Sequence, residues 1–233
     1  MENITQKMAM IAFLTLGLPA VSSAAPVLLN AVEDSGILDG DSRNDPYPGI
    51  LYSELDTISA DDVFLSVLKF DLTSLAGMTV NSASLELTSI SNHNAGAFIH
   101  DIFSSSNDSW TEGTVTGLNR PLNSTLTFLD SINISGTSQT YSWNVLTGVT
   151  GTDGLTGTNN LLTLLIRPNL SQAGTAFGPH FNDRSSTSGA PLLRIDANPA
   201  SGTGPTPSVP EPTTIALLAL GFLGIGFSRK KMN

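Results

Sequence analysis

The chain has 233 residues, a formal net charge of −10 and no cysteine. That acidity argues against nucleic acid and anionic lipid surfaces as partners, and against tight binding of a polyanionic polysaccharide unless divalent cations bridge the two. Without disulfides, the fold must stand on its hydrophobic core or on bound ions.

At the N-terminus Lys7 precedes an apolar stretch over residues 8–21, and Ser22-Ser23-Ala24 supplies small residues. This is the layout of a secretory signal peptide, so residues 1–24 are expected to leave the mature protein, with cleavage after Ala24. Residues 25–200 then form one domain, long enough to bury a core.

Residues 27–60 are acidic and broken by turns. From residue 63, VFLSVLKFDL places Phe64, Ser66, Leu68 and Phe70 on one face and Val63, Leu65, Val67 and Lys69 on the other. Apolar residues on both faces predict a central strand. A turn follows over 73–77, then strands over 80–90, 95–103, 124–129, 139–145, 160–166 and 191–197. A weaker strand is expected near 175–181 and a short helical turn around 144–149. Short strands, Gly, Asn and Ser turns and no long helical period predict an all-β fold, a jelly-roll-like β-sandwich.

Residues 201–208 (SGTGPTPS) read as a flexible linker. Beyond it, in residues 209–233, Val209-Pro210-Glu211-Pro212 form a proline-locked turn. The uncharged run over 213–227 would reach only about 22 Å as a helix, against about 30 Å of bilayer hydrocarbon. Ser228-Arg229-Lys230-Lys231 closes it with cations that stay on the cytoplasmic side. A short span with a basic stop suits a transient inner-membrane anchor; an ordinary single-pass tail helix is the alternative.

Aromatic faces and nearby polar groups are what a sugar site needs. The candidate contacts are Tyr47, Trp110, Glu112 and Arg120. Tyr47 is the best placed for exposure, in an Asp-Pro-Tyr-Pro-Gly loop, while Trp110 and Trp143 also fit as inward-pointing core residues. Asp39, Asp41 and Asp45 alternate oxygen ligands around Gly40, a pattern that invites a structural Ca²⁺, although the closing Glu of an EF-hand is missing. Enzyme readings find little support. His93, His100 and His180 are scattered, and no nucleophile elbow or H-E-x-x-H is present.

Two resemblances organise these readings. The tail, V-P-E-P with its short apolar run and R-K-K, resembles the PEP-CTERM sorting signal. It implies a Gram-negative bacterium whose exosortase cuts near Pro210, Glu211 and Pro212 and delivers the protein to the cell surface or extracellular matrix. The domain resembles DNRLRE-type modules, related to carbohydrate-binding modules, through VLKFDLTSLAGMTVNSASLELT, DSWTEGTVTGLNRPL, YSWNVLTGV and FNDRSSTSGAPLLRI in that order. That implies a β-sandwich that binds extracellular polysaccharide, alginate-like polymers in some members, without catalysis of its own. A structural matrix protein with no specific glycan is the alternative reading, and a polysaccharide-degrading enzyme a more distant one.

Overall fold

The computed structural model describes residues 25–39, 46–47, 49–55, 63–92, 97–121, 123–171 and 178–200. The signal-peptide segment, Asp41, Asp45, the linker and the sorting motif at Val209 to Pro212 lie outside the described residues.

In chain order the strands are β1 (Val27–Asn30), β2 (Glu33–Asp39), β3 (Pro46–Tyr47), β4 (Leu51–Tyr52), β5 (Glu54–Leu55), β6 (Val63–Asp71), β7 (Met78–Asn92), β8 (Phe98–Ser105), β9 (Leu126–Ile134), β10 (Thr140–Asn144), β11 (Leu161–Pro168), β12 (Pro179–Phe181) and β13 (Leu192–Pro199); one helical turn, α1 (Leu146–Thr150), follows β10. They form two antiparallel sheets. The first runs β1-β13-β7-β12-β4, with β10 also on β7; the second runs β3-β2-β6-β11-β8-β9, with β5 also on β6. No helix among the described residues is long and apolar enough to cross a membrane.

Strand alternation explains both cores. On β6 the even positions Leu68 and Phe70 point between the sheets, where they meet Leu85, Leu87, Trp143, Leu164, Phe181 and Ile195. The odd positions Leu65 and Val67 point outward, and there they join a second buried cluster with Ile37, Phe103, Leu165, Trp110 and Val115. The segment 106–121, which carries Trp110 and Val115, covers this outer face. A strand apolar on both sides therefore needs a lid as well as a partner sheet.

The acidic stretch near the N-terminus corrects the sequence reading, which saw turns where β2 forms a buried strand. Ile37 and Leu38 enter the core, and Asp34 is tolerated because its carboxylate accepts the Arg184 backbone N–H at 2.7 Å. Gly36 hides the alternation. A Cβ there would lie 2.6 Å from Ile50 O and 2.6 Å from the Tyr52 ring, so the strand needs a residue that no hydrophobic pattern favours.

The strand expected over 124–129 also extends further, to Ile134. A bulge breaks its period. Register passes from Phe103↔Phe128 to Ile102↔Asp130, leaving Leu129 as the extra residue on β9.

Candidate functional site

The outward face of the second sheet divides in two. Segment 106–121 covers the half over β2, β6 and the near part of β11. It is fastened at Trp110, whose indole N–H donates to Thr163 Oγ1 at 3.0 Å and whose ring carries the Lys69 amino group 4.5 Å above its centroid. At its other end Arg120 reaches Asp39 on β2 and donates to Pro121 O at 2.9 Å.

The remaining half, over β11, β8 and β9, is open only at its outer edge: Phe128 and Ser131 are exposed and Arg167 is partly so, while Leu165, Phe103 and Asp101 are buried. Ladder register sets its side chains in rows: Leu165, Phe103 and Phe128 in one, Arg167, Asp101 and Ser131 in the next. Because of the β9 bulge, Phe128 and Ser131 share one face although their spacing is odd. Phe128 is 55% exposed and stands edge-to-face on Phe103 with centroids 5.7 Å apart. The Arg167 guanidinium lies 4.6 Å from the centroid of Phe103. Asn169 Nδ2 donates to both Asp101 oxygens, at 3.0 and 3.2 Å, and Ser131 Oγ donates to the same carboxylate.

This arrangement joins an exposed aromatic ring to planar polar groups whose orientation is fixed. Burial pulls the Arg167 guanidinium below its ordinary range, and Asp101 pulls it back up. A rigid apolar surface beside a guanidinium, a carboxylate and an amide suits a ligand with alternating C–H faces and hydroxyls.

The residues singled out from sequence lie elsewhere. Trp110 is 4% exposed, so it serves as a core residue and offers no ring face to a ligand. Arg120 is buried against Asp39, and Glu112 accepts from Arg184 Nε at 2.6 Å. Tyr47 is half-buried and packs edge-to-face on Tyr52 and Phe64, at the edge where β3 meets β2. Asp39 is the one described member of the expected calcium set, and Arg120 occupies its carboxylate. Among the described residues no group of three or more His, Asp or Glu is placed to hold a metal ion.

Two other hollows, of about 290 and 480 Å³, lie on the first sheet. They are lined by Ser, Thr and Asn side chains with Glu86 and Asp130, and neither includes an aromatic ring. The open half of the second sheet is therefore the better site.

Comparison with known families gives two matches. Residues 25–196 match the carbohydrate-binding module family 96, and residues 208–230 match the PEP-CTERM protein-sorting motif. Among curated proteins none matches the chain.

Proposed function

Because the chain belongs to carbohydrate-binding module family 96, we propose that it holds extracellular polysaccharide on the Phe128 face of its second sheet, without turning it over. The sorting motif marks it for exosortase-dependent export. In this reading the tail serves as a transient membrane anchor, is cut near Pro210 to Pro212, and leaves the domain at the surface or in the matrix of a Gram-negative cell.

The observation that carries the reading is the exposed ring of Phe128 beside Arg167, Asp101 and Asn169. What distinguishes this ring from other exposed apolar side chains is its setting: it packs on Phe103, and the neighbouring Asp101 carboxylate is already held by Asn169 and Ser131. The two described histidines are in keeping with a role without catalysis. His100 is buried in the interior and His180 is held against Glu54, so neither is presented to a substrate.

A glycan array tests it: Phe128→Ala should remove the signal while leaving the melting temperature nearly unchanged, and an unaltered array would overturn the assignment. For localisation, mass spectrometry of the exported protein should find a carboxyl end near Pro210, and an end at Asn233 would refute processing. Calcium on the acidic loop would use Asp41 and Asp45, since Asp39 is engaged. A melting temperature raised by Ca²⁺ and lowered again by chelator is the expected sign of it, and an unchanged melt would refute it.

A further inference from the structure

Resting on the Phe128 face as the binding site, we infer that the Ser131 hydroxyl is a specificity contact there, accepting a hydrogen bond from a free hydroxyl of the ligand. A chain of hydrogen bonds, its direction set by the backbone, leads to this oxygen. The Ser171 N–H can only donate, and it does so to Asn169 Oδ1 at 2.9 Å. The amide is thereby oriented, so its Nδ2 faces Asp101 and donates to the two carboxylate oxygens at 3.0 and 3.2 Å. The Asn169 backbone N–H donates to Ile99 O at 2.9 Å, which holds the residue against β8. A carboxylate only accepts. The Ser131 hydroxyl therefore directs its one proton at Asp101.

Asp101 is buried, whereas Ser131 is exposed. With its proton turned inward, the Ser131 oxygen offers only acceptor lone pairs to the outside. Its backbone is held as well, since the Ser131 N–H donates to Asp130 Oδ1 at 2.8 Å. Across the ladder Ser131 stands opposite Asp101 and Phe128 opposite Phe103, two residues along β8. The two rows are therefore about 7 Å apart. A sugar lying with its C–H face on Phe128 meets, one row on, an oxygen that accepts and does not donate. A ligand hydroxyl satisfies it, while an ester or ether at the same place brings a second acceptor and forms no bond. Neutral and uronate polymers both carry free hydroxyls, so this contact selects by donor rather than by charge.

Affinity electrophoresis of the full chain in non-ionic detergent tests this. Gels contain alginate, β-glucan or galactomannan, each in native form and after partial O-acetylation, and the native-to-acetylated ratio of retardation is compared among variants. The parent should be retarded more by a native polymer than by its acetylated form. Ser131→Ala should weaken native binding roughly three- to tenfold, and the ratio should fall with it. Asp101→Asn should reverse the polarity. An amide in that place accepts from Asn169 and donates to Ser131, so the Ser131 proton turns outward. The ratio should then shift toward the acetylated polymer, a change that lost packing alone does not produce. A ratio unmoved by Ser131→Ala would overturn the inference, as would a parent that none of the native polymers retards. Should a melt show that Asp101→Asn does not fold, the Ser131→Ala ratio decides alone. Phe128→Ala separates the contact from the face it rests on. Retardation lost with Phe128→Ala but indifferent to Ser131→Ala removes the contact and keeps the face; retardation indifferent to Phe128→Ala removes both.

Discussion

Trp110 and Thr163 are joined by a buried hydrogen bond, the indole N–H donating to the hydroxyl at 3.0 Å. That bond pins the covering segment to the middle of β11. Thr163 is fully buried, so losing either partner strands the other away from water. Trp110→Phe should cost about 1–3 kcal/mol through the unsatisfied Thr163 hydroxyl, and Trp110→Ala about 3–5 kcal/mol because a cavity opens as well. Thr163→Val should cost nearly as much as Trp110→Phe, and the double variant less than their sum. Denaturant melts of the four proteins measure it; strict additivity would show that the bond contributes nothing.

Arg120 fastens the other end of the same segment to Asp39. Its substitution should act on stability before it acts on binding. Arg120→Met keeps the bulk but leaves Asp39 with no guanidinium, and we expect a loss of about 1–3 kcal/mol from the hydrogen bonds given up. Glycan affinity measured well below the melting temperature should stay close to that of the parent. A large loss of affinity with an unchanged melt would instead make Arg120 a ligand contact, as the sequence suggested.

Gly36 is the position on β2 where backbone and ring approach most closely. Gly36→Ala would drive a methyl group into Ile50 O and the Tyr52 ring, each 2.6 Å from the added atom. Backbone cannot retreat as a flexible side chain does, so the variant should lose about 1–3 kcal/mol, the usual cost of overpacking. Thermal melts check this, and an unchanged midpoint would mean that β4 can shift away at little cost.

Much of the sandwich was legible because β6 and β11 are apolar runs and β7, β10 and β13 alternate apolar with polar residues. The open site was not. Phe128 lies just before the bulge at Leu129, so a period counted back from the inward-facing Ile132 and Ile134 would turn it inward. Arg167 and Asp101 sit far apart in the chain and meet only through ladder register. Trp110 and Arg120 were visible as a motif, yet their chemistry is spent holding a lid over Leu65 and Val67, a use that composition does not distinguish from sugar binding.

His100 and Asp34 make opposite demands on pH. Burial depresses His100 from 6.5 to about 3, so the unfolded chain binds its proton first. Stability from this group is complete above pH 6.5 and is lost as pH falls toward 3, at about 1.4 kcal/mol per unit. Asp34 is raised from 3.8 to about 6, chiefly by burial, with the Arg184 N–H opposing and Glu112 and Asp183 adding to it. Here the folded chain binds the proton first, so stability is greatest below 3.8 and declines as pH rises through 6, by about 3 kcal/mol in all. Between roughly pH 4 and 6 the two slopes cancel, and these groups together leave stability flat. Single variants should expose each limb. Asp34→Asn, which keeps an acceptor for the Arg184 N–H, should stabilise the protein above pH 6 and make stability climb with pH across the window. His100→Gln, which can still bond Ser53, should make stability fall across it. With both changes the plateau should return, because the two sites titrate independently. Urea midpoints from pH 4 to 7 measure all four proteins, and a parent profile as steep as either single variant would show that one of the two groups is not buried as described.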